Sequence, residues 1–166
     1  MVGDEGEYEV ATFRGDGEYQ DGRRPEAVRF TSAEEDVKRR DFTINALMYD
    51  PAEQRVIDYV DGQVDLAAGV IRTVGVPEQR FGEDALRLLR AVRFSGRTGF
   101  SMEKETLEAI RRLAATIVRV SPERIGDELK RMLTEGAARS SFELLRTTHL
   151  LPCILPEVAR MDGVPQ

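Results

Sequence analysis

Hydrophobic positions along the 166 residues follow two different periods, and the change falls near Pro77. Upstream the apolar runs are short. Glu7 to Arg14 sets Tyr8, Val10 and Thr12 on one face and Glu9, Ala11 and Phe13 on the other, the alternation of a half-buried strand, and Gly15-Asp16-Gly17 stops it. From there to Glu35 the chain is rich in glycine and charge, with one short strand candidate at Ala27 to Phe30. A connection that long is usually either functional or mobile. Val37 to Tyr49 is expected to form a helix with Phe42, Ile44 and Leu47 turned inward. Val56 to Val60 and Val70 to Val74 are expected as short strands around a Gly-Gln-Val-Asp turn.

Downstream the spacing becomes helical. Glu83 to Ser95 carries Leu86, Leu89 and Phe94, and Glu103 to Val118 carries Leu107, Ile110, Leu113 and Ile117. Ser121-Pro122 reads as a cap followed by proline at the first helical position, and Arg124 to Leu133 and Ala137 to Leu150 complete the series. The expected fold class is therefore α+β, a mixed sheet-and-helix part over residues 1–77 followed by an all-helical part over 78–166. A core strand begins within seven residues of Met1, and Asp162-Gly163-Val164-Pro165-Gln166 closes nothing, so the chain reads as the middle of something larger.

Composition narrows this picture. With 41% hydrophobic and 33% charged residues, disorder is excluded and one domain or two small subdomains sharing a core are implied. Leu150 to Leu155, interrupted by Pro152, falls far short of the roughly 20 residues of a membrane helix. The acidic start has no basic n-region, and the single Cys153 forms no internal disulfide, so a cytoplasmic setting without membrane contact is expected. A net charge of −6 excludes nonspecific attraction to nucleic acid, so an anionic partner has to be met locally. All but Lys38, Lys104 and Lys130 of the 24 basic residues are arginine, whose fork matches phosphate and base edges bidentately.

Two clusters offer that local chemistry. Asp84, Arg87, Arg90 and Arg93 recur at intervals of three and are expected on one face of a helix. A solvated face with an ordinary ion pair is the plain alternative. A carboxylate only accepts and a guanidinium only donates, so side by side they match an edge with an exocyclic amine next to an unprotonated ring nitrogen. Cytosine and adenine have that edge; guanine and uracil present the reverse and would be refused. Arg90 and Arg93 would then reach ribose or phosphates. The second cluster, Lys38-Arg39-Arg40-Asp41 with Asn45 four residues past Asp41, suits a triphosphate and a ribose hydroxyl. His149 reads as a helix-end residue and Cys153 as a small hydrophobe.

These residues carry a resemblance. Arg39-Arg40-Asp41-Phe42-Thr43-Ile44-Asn45-Ala46 resembles motif B of the bacterial (class II) tRNA nucleotidyltransferase and poly(A) polymerase superfamily. Asp61-Gly62 through Asp65-Leu66 to Ile71-Arg72-Thr73-Val74-Gly75 resembles motif C. Glu83-Asp84-Ala85-Leu86-Arg87 through Arg90 and Arg93-Phe94 resembles motif D, and Ser121-Pro122-Glu123-Arg124 with Glu128-Leu129 resembles motif E. The resemblance implies a remnant of a nucleotidyltransferase palm (head) over 1–77, then a helical neck and the start of the body. It makes Asp84 and Arg87 the base-selecting pair, Arg40, Arg90 and Arg93 nucleotide contacts, Asp41 and Asn45 sugar and phosphate neighbours, and Glu9 the third catalytic-site carboxylate; Arg39, in the same basic cluster, is expected among the nucleotide-binding residues. The implied activity is template-independent addition of C and A from CTP and ATP to the tRNA 3′ end, with Mg²⁺ as cofactor. A poly(A)- or A-adding enzyme, or a noncatalytic nucleotide- or RNA-binding module, is the alternative. The family's first motif, with its Asp-x-Asp metal pair, is absent from these residues, so this chain by itself is expected to be catalytically silent.

Overall fold

The computed structural model describes residues 32–161 together with four two-residue strands nearer the start. β1 (Val2–Gly3) pairs antiparallel with β2 (Gly6–Glu7), and β3 (Arg14–Gly15) with β4 (Arg29–Phe30), the latter inside the expected strand at Ala27 to Phe30. Glu9, the rest of the strand expected over Glu7 to Arg14, and residues 16–28 of the long connection lie outside the described residues.

α1 (Ala33–Lys38) begins at Ser32, whose Oγ accepts the Glu35 N–H at 3.2 Å. The helix expected over Val37 to Tyr49 is not formed. After Lys38 the chain opens, and residues 41–43 lie antiparallel to 72–74. The Thr43 N–H donates to the Arg72 carbonyl at 3.0 Å, the Val74 N–H donates to the Asp41 carbonyl at 3.1 Å, and Phe42 stands opposite Thr73. One 3-10 turn, Thr43–Asn45, then leads to β5 (Met48–Asp50), paired antiparallel with β6 (Arg55–Ile57). The reason is tertiary: Phe42 is fully buried against the helical half, and strand partners take the hydrogen bonds that a helix would have made internally.

The expected Gly-Gln-Val-Asp turn is instead the first turn of α2 (Gly62–Ala68). The Asp58 carboxylate accepts the N–H groups of Val60, Gly62 and Gln63 at 3.1, 3.0 and 2.9 Å, satisfying donors at the start of this helix. Gly69, at φ 65°, ends α2 in the left-handed conformation glycine adopts without cost. β7 (Val70–Ile71) follows, parallel to β8 (Ser101–Met102), a strand that the helical half contributes.

The remaining elements are helical: α3 (Pro77–Glu83), α4 (Leu86–Thr98), α5 (Lys104–Leu113) running into a 3-10 turn (Ala114–Arg119), α6 (Pro122–Thr134), α7 (Ala138–Thr147), and short α8 (Leu151–Ile154) and α9 (Pro156–Ala159). The helix expected over Glu83 to Ser95 is thus two helices. Asp84 between them is extended, at φ −147° and ψ 103°. His149 follows α7 at φ 63°, the helix-end position read from sequence.

The architecture is α+β, and one core joins its two parts. Phe42 and Ile71 are buried in the same cluster as Leu88, Leu89, Val92, Ile110 and Leu145. The Phe42 ring meets Phe94 edge-on, with centroids 5.8 Å apart. α4 lies at the centre, against α6 and α7. A Cβ at Gly96 would stand 2.4 Å from Ser141 Oγ, so only glycine lets α7 approach this closely. The shared core holds residues 39–45 beside the start of α4. Among the described residues no helix is long and apolar enough to cross a membrane.

Candidate functional site

Residues 39–45 and the start of α4 border a cleft of about 480 Å³. One wall carries Arg39, Arg40, Asp41 and Asn45; the other carries Asp84, Leu86, Arg87 and Arg90, with Phe94 and Arg124 completing the lining. Five guanidiniums and two carboxylates line it, and Asp36 and Glu83 just outside the lining pair with Arg39, Arg40 and Arg87, which leaves the cleft one positive charge in excess on a chain of net charge −6. An anionic ligand meets its complement there at short range.

Asp41 ties the walls together. It is almost fully buried; its Oδ1 accepts the Phe42 N–H at 2.8 Å and Asn45 Nδ2 at 3.1 Å. Its Oδ2 accepts Arg90 Nε at 2.7 Å and stands 2.6 Å from Arg90 Nη2, a bond across 49 positions of sequence. Arg40 donates to the Asp36 carboxylate at 3.2 Å and to the Asn45 carbonyl at 2.9 Å, fixing the 3-10 turn against α1. Asp36 also takes Arg39 Nη2 at 3.4 Å. Behind the turn, the buried Asp65 accepts Thr43 Oγ1 at 2.7 Å and Arg72 Nε at 3.0 Å. The Asp65 carboxylate beside it raises the Arg72 guanidinium above its ordinary pKa, through hydrogen bond and charge.

Asp84 and Arg87 line the same cleft, but not as neighbours on one helix face. Asp84 lies before α4, where its Oδ1 accepts the Leu86 N–H at 3.0 Å. Its charge partner is Arg124 on α6, with Nη2 to Oδ2 at 2.8 Å and Nη1 to Oδ1 at 3.3 Å. Arg87 Nη1 donates to Glu83 at 2.7 Å and to the Arg80 carbonyl at 2.9 Å, and Nη2 donates to the Arg39 carbonyl at 2.9 Å. Arg87 thereby braces α3 and the end of α1.

Arg93 departs most from expectation. Six residues advance a helix by 600°, so Arg93 points about 120° away from Arg87. It is turned out of the cleft, with its side chain 4% exposed, and pairs with the equally buried Glu128 of α6 at 2.6 Å. Its guanidinium also lies over the Phe94 ring, 4.3 Å from the centroid. Sequence reasoning assigned no role to Arg124. The available signal was Glu128 four residues later, which puts both on the side of α6 facing α4.

A second cavity of about 850 Å³ between α3, the 3-10 turn at 114–119 and α6 shares Asp84 and Arg124 as its wall with the cleft. Among the described residues no three His, Cys, Asp or Glu side chains group to hold a metal ion. The cleft carboxylates do not fit a metal pair, because Asp41 is committed to Arg90 and Asp84 to Arg124.

The profile of the poly A polymerase head domain matches residues 1–72, and that of the probable RNA and SrmB-binding site of polymerase A matches residues 99–161. The CCA-adding enzyme of Bacillus subtilis is 49% identical over 144 residues, 86% of this chain and 36% of that protein. The chain belongs to the tRNA nucleotidyltransferase and poly(A) polymerase family. Another member, poly(A) polymerase I of Salmonella typhi, is 41% identical over 92% of this chain and 35% of its own length. Among solved structures of the family, the CCA-adding enzyme of Bacillus stearothermophilus in complex with CTP is 39% identical with a TM-score of 0.74, covering 81% of this chain and 35% of that one. The Thermotoga maritima enzyme complexed with tRNA is 30% identical with a TM-score of 0.70, covering 75% and 31%. This chain therefore spans about a third of the length of the relatives it matches.

Proposed function

We propose that this chain supplies the nucleotide-selecting part of a template-independent nucleotidyltransferase that adds C and A from CTP and ATP to the tRNA 3′ end. The observation that carries the reading is the convergence of Asp84 and Arg87 with Arg39, Arg40, Asp41 and Asn45 on one basic cleft. In this reading Asp84 accepts the base amine and Arg87 donates to the neighbouring ring nitrogen through N–H groups its structural bonds leave over. Arg39 and Arg40 meet the triphosphate, and Asn45 lies at the sugar. Asp41 orients Arg90 toward the nucleotide, and Arg93, through Glu128, holds α6 against α4. Residues 1–77 act as the C-terminal part of the palm, and residues 78–166 as the neck and the start of the body.

Phosphoryl transfer of this class uses Mg²⁺ to draw charge off the transferring phosphate. The described carboxylates do not build that site, and Glu9 is this chain's candidate contribution to it. The setting is cytoplasmic. Addition of A alone is the second reading, favoured by the poly(A) polymerase relative that aligns over 92% of the chain. Equilibrium binding of the four ribonucleoside triphosphates tests the proposal. CTP and ATP are expected to bind at least about tenfold more tightly than UTP and GTP, one charge-assisted hydrogen bond's worth. ATP binding without CTP binding favours the second reading, and equal binding of all four refutes base selection.

A further inference from the structure

The Asp84 carboxylate has two oxygens and about four lone-pair positions. Oδ1 spends both of its positions, on the Leu86 N–H at 3.0 Å and Arg124 Nη1 at 3.3 Å, and Oδ2 spends one on Arg124 Nη2 at 2.8 Å. One acceptor position is left, on Oδ2, and the two-point fork stops the carboxylate turning about its own bond. α6 is a firm base for that fork. One turn beyond Arg124, Glu128 is bound to Arg93 of α4 at 2.6 Å with both side chains 4% exposed. Arg124 itself is half exposed, so its pair with Asp84 adds little to stability.

We propose that Arg124 is the positioning residue of base selection: it holds Asp84 in one orientation with one acceptor, and this held orientation refuses uracil and guanine. The inference rests on the reading of Asp84 as the group that meets the base. Uracil O4 and guanine O6 occupy the place of the amines of cytosine and adenine, so a fixed carboxylate oxygen confronts another oxygen there. A carboxylate free to rotate swings away and the penalty disappears. Rejection therefore depends on rigidity as well as charge, the repulsive element that specificity requires.

Binding of three pyrimidine triphosphates to the full chain tests this: CTP, UTP, and the 2-pyrimidinone analogue that lacks the exocyclic amine. All have the same ring size, so packing is constant. In the wild-type chain CTP is preferred over both. Arg124→Ala is expected to lower the CTP:UTP affinity ratio by about three- to fivefold, the reach of a half-exposed pair, with CTP weakened and UTP held or strengthened, and to narrow the gap between CTP and the analogue. Millimolar guanidinium restores both preferences in this variant, which a merely unfolded or loosened chain would not show. Arg124→Lys, a point charge without the fork, recovers only part of the ratio. If Arg124→Ala weakens all three nucleotides equally or leaves them unchanged, while Asp84→Ala abolishes the preference for CTP, the positioning role is wrong and the base reading stands. If Asp84→Ala retains the preference, or the wild-type chain has none, both fall.

Discussion

The buried pair between Arg93 and Glu128 gives the sharpest energetic test of how α4 and α6 are joined. Each side chain is 4% exposed, and Arg93 Nε lies 2.6 Å from Glu128 Oε2. Removing one member of such a pair leaves a desolvated charge and costs about 3–5 kcal/mol. Here the orphan keeps some company. After Glu128→Leu, Arg93 retains Glu135 at 3.6 Å and the Phe94 ring at 4.3 Å; after Arg93→Met, Glu128 retains Arg131 at 3.8 Å and Arg90 at 4.0 Å. Each single variant is therefore expected at the lower end, ~3 kcal/mol, a drop in Tm of about 6–12 °C for a chain of this size. The double variant Arg93→Met with Glu128→Leu removes both charges and fills a similar volume. It is expected within about 1 kcal/mol of wild type, because apolar replacements of a buried pair are often neutral. Urea unfolding of the four proteins closes the cycle, with an interaction energy of at least about 2 kcal/mol. Single variants costing under about 1 kcal/mol would mean the pair is solvated. A double variant as damaged as the singles summed would mean that packing, not charge, joins the helices.

Other expectations follow from the cleft and its supports. Asp84→Ala and Arg87→Ala are each expected to cost about 1.5–3 kcal/mol of discrimination against UTP and GTP, measured as ratios of Kd; unchanged ratios in either would remove that residue from base reading. A Cβ at Gly62 would stand 2.3 Å from the Thr43 carbonyl oxygen and 3.0 Å from Leu47 Cδ2. Gly62→Ala should therefore cost about 1–3 kcal/mol and, by shifting the turn that carries Asn45, weaken CTP binding; wild-type stability and affinity would show that α2 does not set the turn. Burial acts to raise the carboxyls of Asp58 and Glu103, but N–H donors, chiefly Gln63 and Gly62 for the first and Thr106 for the second, outweigh it and hold them below their ordinary 3.8 and 4.5. A depressed folded pKa stabilises above the ordinary value and that contribution is lost as pH falls through the folded one. Stability should drop below about pH 4.5, and Asp58→Asn with Glu103→Gln should flatten this acid limb; a limb as steep as wild type would assign the acid loss to other groups.

Much of the helical half was determined by the sequence alone, since apolar spacing of three and four residues places Ile110, Leu113 and Ile117 on the inward face of their helical segments whatever they pack against. The same holds for the basic cluster at 39–40 and for the motifs that carry the family resemblance, because they are contiguous. What the sequence could not determine is where long-range partners overrule local preference. Val37 to Tyr49 has helical spacing, yet Phe42 belongs to a core built mainly by residues after 80, and strand 72–74 captures the backbone of 41–43. Asp84 and Ala85 are tolerable in a helix, and the break there goes with a carboxylate bound to Arg124 at a separation of 40 residues. The arginine repeat was visible, but an interval of three drifts around a helix of 3.6 residues per turn, so three equally spaced arginines were bound to face different surroundings. Only the packing of α6 decided that Arg87 and Arg90 stay in the cleft while Arg93 is buried. A charge enters a core only where its counter-charge is already waiting, and Glu128 lies 35 positions away in sequence.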